Sequence, residues 1–150
     1  HDWDRSRLVH EKLELIAEVA NDLGERMSNL YFGAIPKVEA SEYYRPEISL
    51  PFAKFEMLLN FYAPELKPEY DRLLQLRDDM GSTLLDLANG RVPTDKTKKQ
   101  ALNEKLLRAS FDAENICERI IKGASELGRE RLALKTEQNH SADTHTSRGK

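Results

Sequence analysis

Two pairs of residues have spacings that could hold a metal or move a proton. His10 and Glu14 stand four apart, so on a helix they share a face and could share a cation. Glu137 and His140 form a Glu-x-x-His step, the pattern that carboxylate-bridged di-metal bundles carry on each of two helices. A di-metal centre needs that step twice, and here it occurs once, in a polar stretch near the C-terminus. An exposed histidine beside an acid is also ordinary on a solvated helix face. No metal ligand is therefore assigned.

Nucleophilic catalysis would require a Ser or Cys with a His and an orienting acid. Cys117 is the one cysteine and neighbours Ile116, where a free thiol is expected to act as a small buried hydrophobe. There is no Gly-rich phosphate loop or dinucleotide fingerprint. No catalytic or cofactor-binding residue is assigned, and the chain is not expected to be an enzyme.

Three charged or aromatic groups remain. Lys96, Lys98, Lys99, Lys105 and Arg108 crowd the start of a helix, where the dipole disfavours cations. They read either as a patch for an anionic partner or lipid headgroups, or as charges compensated by neighbours, with Asp86 expected near Lys98 and Asp78-Asp79 near Lys105. Arg77 occupies a seam position that should be apolar, so its guanidinium must pair, with Glu56 as a possible partner, or reach the rim. Phe52, Phe55, Phe61 and Tyr62, with Tyr43 and Tyr44 upstream, exceed one narrow seam. Either their helix is buried on two sides or it offers a partner surface, and burial is the default.

Composition limits what could position these groups. At 150 residues the chain suits one domain, and 39% hydrophobic against 33% charged residues suits amphipathic helices. A net charge of -3 provides no global field for nucleic acid, and one cysteine excludes an internal disulfide. No run of about 18 apolar residues could span a membrane, and the charged start is not a signal peptide. The chain opens on His1 instead of Met, which sets the expectation that another segment precedes it.

The periodicity predicts helices nearly throughout. A first helix is expected over about 4–34, with Val9, Leu13, Ile16, Ala20, Leu23, Met27, Leu30 and Ala34 on one seam. Gly24 falls between seam positions and should only weaken the helix locally. A long loop follows over 33–49, and Ser49 is expected to cap a second helix over 50–63. Pro64 stops or kinks it, and Pro68 opens a third helix running to about Ala88 with Leu66, Tyr70, Leu73, Met80, Leu84 and Leu87 aligned. Asn89-Gly90 and Pro93 end it, and Thr94 or Asp95 caps the last helix. That helix carries Leu102, Leu106, Ala109, Ala113, Ile116, Ile120, Gly123, Leu127 and Leu134 and is expected to reach about Lys135, roughly 60 Å. Residues 1–135 thus read as a helical bundle domain and 136–150 as a disordered polar tail.

The expected fold is an all-α antiparallel bundle of three long helices, the middle one broken near Pro64-Pro68 (alternatively counted as a four-helix bundle), with a four-helix bundle whose second helix is folded aside as the competitor. Reflection through the Gly90–Pro93 turn places Ile116 near Leu66 and Leu127 near Phe55, so the broken helix would match the last one end to end.

The stretch from Phe52 to Leu66, FAKFEMLLNFYAPEL, is distinctive, and Glu11 to Ile16 precedes it in the first helix. Together they resemble segments of small uncharacterised bacterial proteins in which an N-terminal membrane helix precedes a helical soluble domain. The resemblance covers about residues 5–90 and brings no catalytic residues. It implies anchorage at the inner membrane through a segment before residue 1, with this domain in the cytoplasm. The functional expectation is a non-enzymatic interaction or scaffold domain that binds a protein partner or itself, without cofactor, metal or nucleic acid. The alternative is a bundle that senses a small molecule or lipid.

Overall fold

The computed structural model describes the backbone of residues 2–148 and the side chains of residues 4–134 and 136–138. The helices are α1 (Asp2–Gly33), α2 (Ile35–Glu39), α3 (Phe52–Tyr62), α4 (Lys67–Ala88) and α5 (Lys96–Arg148), with a 3-10 turn at Pro64–Leu66 before α4. No strand occurs among the described residues. The molecule is the expected all-α antiparallel bundle.

Its spine is the pair α1 and α5. They run antiparallel, with Ser28 against Ser110, Gly24 against Cys117, and Leu13 against Gly128. The seam of α1 is buried from Leu13 to Ala34. Val19, Gly24, Ser28 and Tyr31 are buried as well, which makes the covered stripe wider than the 4-3 pattern alone marks out. The reason is that α1 contacts α5 and α3 on different sides. Gly24 corrects the expectation of a merely local weakness: a Cβ there would lie 2.8 Å from Cys117 Cβ. The missing side chain lets the two backbones approach closely.

The predicted loop over 33–49 begins as a further turn of helix, α2, with Pro36 in its first turn where the missing N–H costs nothing. Ser41 ends it in the left-handed region at φ 57°. The Ser41 N–H donates to Val38 O and the Glu42 N–H to Lys37 O, so two otherwise orphaned carbonyls are satisfied. The chain then returns along α1 without secondary structure. Ser49 does not cap α3; its carbonyl instead accepts from Arg26.

At Pro64 the broken helix proves to be a reversal and not a kink. Phe55 packs edge-on to Tyr70 with centroids 5.5 Å apart, Tyr70 Oη donates to Phe52 O at 3.2 Å, and Lys67 pairs with Glu56. Those contacts fold α3 antiparallel onto the first turns of α4, and the count of four helices describes this level of the bundle. The expected register shifts accordingly. Leu66 sits in the notch left by Gly123, not near Ile116, and Arg119 reaches Glu69. Leu127 is not matched to Phe55, because α3 lies along α1 instead of continuing α4 past α5.

Local chemistry sets the turn between α4 and α5 as expected. Gly90 takes φ 77°, the Arg91 N–H donates to Asp86 O at 2.8 Å and the Gly90 N–H to Leu87 O. Asp95 caps α5 by accepting from the Lys98 N–H. At the other end α5 continues past Lys135 to Arg148, through the stretch expected to be disordered. No Gly or Pro lies between Gly128 and Gly149, so nothing in the polar composition interrupts the helix. Residues 149 and 150 of the expected tail lie outside the described residues.

Candidate functional site

The residues singled out for chemistry do not converge. His10 Nε2 lies 3.2 Å from Glu14 on the exposed surface. Glu137 is exposed, and the side chain of its expected companion His140 lies outside the described residues. No group of three or more His, Cys, Asp or Glu able to hold a metal occurs among the described residues. Cys117 is buried against Gly24, and that burial pushes its thiol up to about 12.

The basic start of α5 is not compensated in the expected way. Asp86 pairs with Arg91 and Asp78 with Arg77, while Lys105 donates to Thr83 Oγ1 and Lys99 to Glu39 O. The shifted α4–α5 register accounts for the difference. Arg77 does not meet Glu56. Its guanidinium stacks over the Phe52 ring at 4.7 Å while bonding Asp78, so the seam arginine covers an aromatic and keeps its charge at the rim.

One polar cluster crosses the spine. Ser28 Oγ lies 2.6 Å from Ser110 Oγ and donates to Glu114 Oε1 at 2.8 Å, while Ser110 Oγ donates to Ser28 O at 3.1 Å. Both serines are buried, and sequence reading missed them because small hydroxyls between apolar positions carry no periodic signal. These bonds tie α1 to α5 at this register and satisfy both buried hydroxyls.

Beside this cluster, the face of the spine turned away from α3 and α4 is uncovered. Phe32 is one turn beyond Ser28 on α1. Leu107 and Phe111 are one turn apart on α5, in the row completed by Glu114. Their exposures are 56%, 37% and 55%. Since α1 and α5 are antiparallel, these three side chains fall at one level of the same outer face. Exposed Glu25, Glu114 and Glu118 border it. The aromatic group of α3 divides in a similar way: Phe55 is buried, whereas Phe61 and Met57 face solvent. Its helix is buried on one side, not two.

At the opposite end the spine runs on past the end of α3, and a cleft of about 820 Å³ opens between the first turns of α1 and residues 128–138 of α5. Tyr62 forms one wall. It is held by Arg131, which donates to its carbonyl at 3.1 Å and pairs with Glu65, and by Lys12 over its ring at 5.9 Å. Leu134, expected on the buried seam, is instead 57% exposed at the cleft, where α3 ends at Tyr62.

Among the described residues no helix is long and apolar enough to cross a membrane. No protein-family model, curated protein or solved structure matches this chain.

Proposed function

We propose that this chain is a non-catalytic helical interaction domain that associates with itself or with another protein. The observation that carries the reading is the uncovered outer face of the spine. Large apolar side chains grouped with a charged border have the make-up of a protein contact, where aromatics concentrate at the centre and charge at the rim. Phe32 and Phe111 supply the anchors, and Glu25, Glu114 and Glu118 would favour a basic border on the partner. Its place as the soluble, cytoplasmic part of a protein anchored in a bacterial inner membrane is supported by the resemblance of Phe52 to Leu66 and of the start of the first helix.

Light scattering over a concentration series tests the self-associating form. The weight-average mass is expected to rise with concentration for the native chain and to stay monomeric for Phe32→Ser/Phe111→Ser. A monomer at every concentration removes self-association. A second reading, a bundle that senses a small molecule or lipid, is favoured by a different observation, the cleft at the far end of the spine.

A further inference from the structure

We propose that the cleft beyond Leu13 and Gly128 binds an anionic amphiphile, a single acyl chain ending in a carboxylate or phosphate. The proposal rests on the sensing reading above and names its ligand class. Three observations carry it: size, the chemistry of the walls, and the placement of charge.

The volume of about 820 Å³ falls within the roughly 300–1,000 Å³ typical of small-molecule sites. The walls include Leu13, Tyr62 and Leu134, which suit a hydrocarbon chain. Arg5, Arg7 and Arg131 also line the cleft, Arg7 held by an ion pair with Glu11 at 3.2 Å, and no Asp or Glu lines it. Arg131 is already fixed in place by the Tyr62 carbonyl and Glu65. A guanidinium has five N–H donors in a planar fork, so this anchored group can still bind an anionic head.

Charge placement selects a ligand inside the cleft over a bilayer lying on it. Residues 4–14 contain Asp4, Glu11 and Glu14 against Arg5, Arg7 and Lys12, and residues 126–138 contain Glu126, Glu130 and Glu137 against Arg129, Arg131 and Lys135. These two stretches of sequence are balanced in charge, whereas the charged side chains that line the cleft are all arginines. An extended anionic membrane responds to the first property; a single head group inside the cleft responds to the second.

Isothermal titration calorimetry of the full chain tests this with four probes below their micelle concentrations: laurate, dodecyl phosphate, dodecyltrimethylammonium and a neutral lauroyl glycerol. Separate arms use vesicles of anionic and of zwitterionic phospholipid. Laurate and dodecyl phosphate are expected to bind one per chain, and the cationic and neutral probes at least about tenfold more weakly, the loss of one charge-assisted contact. Arg5→Gln/Arg7→Gln, on the exposed first turns of α1, is expected to weaken the two anions by about the same factor with an unchanged thermal melt. Equal binding of all four probes overturns the ligand class and leaves the sensing reading standing. No binding by any probe overturns both. Binding to anionic vesicles without binding to laurate assigns the cleft to a membrane surface and overturns the proposal. So does a dimer that laurate fails to displace and Leu134→Asp dissociates, since a second copy would then occupy the cleft.

Discussion

A methyl group added to Gly24 would sit 2.8 Å from Cys117 Cβ and 3.1 Å from its sulfur, at the centre of the spine. Alanine normally gains up to about 1 kcal/mol over glycine inside a helix, whereas overpacking a fitted core costs about 1–3 kcal/mol. Gly24→Ala is therefore expected to lower stability by about 1 kcal/mol net. Gly81, exposed in α4 with nothing within 4 Å of a Cβ, should show the opposite sign, a gain of up to about 1 kcal/mol on Gly81→Ala. Urea denaturation of the two variants side by side checks both. Ser41 has the inverse defect, a side chain where the backbone is left-handed. Ser41→Gly is expected to raise the unfolding free energy by a few tenths to about 1 kcal/mol, the left-handed strain relieved less the entropy that glycine adds to the unfolded chain. None of these three roles is legible in sequence. Gly24, Gly81 and Ser41 are each plausible as helix or loop residues, and only the close approach of α5 or the hand of a turn tells them apart.

At the scale of elements, the segment 40–51 has no helix of its own and is held by side chains. Tyr44 Oη donates to Leu30 O at 2.7 Å, the Tyr44 N–H donates to Leu87 O, and Arg45 donates to Ala88 O. One tyrosine thus ties the return strap to both α1 and α4. Tyr44→Phe should cost about 1 kcal/mol and speed amide hydrogen exchange across 41–50 while α1 and α5 keep their protection. Exchange that rises uniformly along the chain would contradict this local role. The break at Pro64 and the turn between α4 and α5 were readable because Pro64, Gly90 and Asp95 act on their own turns. The reversal at Pro64 was not, because both a kink and a hairpin satisfy a proline. What chooses between them is the fit of Phe55 to Tyr70 and of Glu56 to Lys67, contacts across the hairpin that no periodicity encodes. The exposed apolar faces were hidden for the same reason. Phe111 lies outside the heptad seam and Leu134 on it, yet both are exposed, since exposure depends on where the other helices end.

Across the whole molecule, burial raises the pKa values of Tyr31, Tyr44, Tyr70 and Cys117, and ionising these groups weakens the fold at alkaline pH. Burial raises Tyr31 to about 12, against a partial offset from Arg77. Burial, reinforced by Glu56, raises Tyr70 to about 12, and burial alone does the same for Cys117. Each is neutral when folded and ionises at about 10 for tyrosine and 9 for the thiol once unfolded. The unfolded chain therefore releases protons first as pH rises. Their contribution is complete below about pH 9 and is lost progressively toward pH 12. The urea midpoint is expected to hold near about pH 8 and to fall clearly by about pH 11, with Tyr70→Phe, which cannot ionise, showing a shallower fall.

The antiparallel pairing of the first and last helices has a consequence for biosynthesis. Ser28 waits 82 residues for Ser110, and the contacts of Leu13 with Gly128 span still more chain. Helices α4 and α5 can close on each other through a short turn as soon as both exist, but α1 leaves the ribosome well before the surface of α5 that it packs against is translated. At about 5–20 residues per second, the apolar stripe of α1 stays unburied for some 5–20 seconds in every molecule made. Substitutions that make this stripe stickier should therefore reduce the yield of folded protein in cells well before they lower the melting temperature of the molecules that do fold.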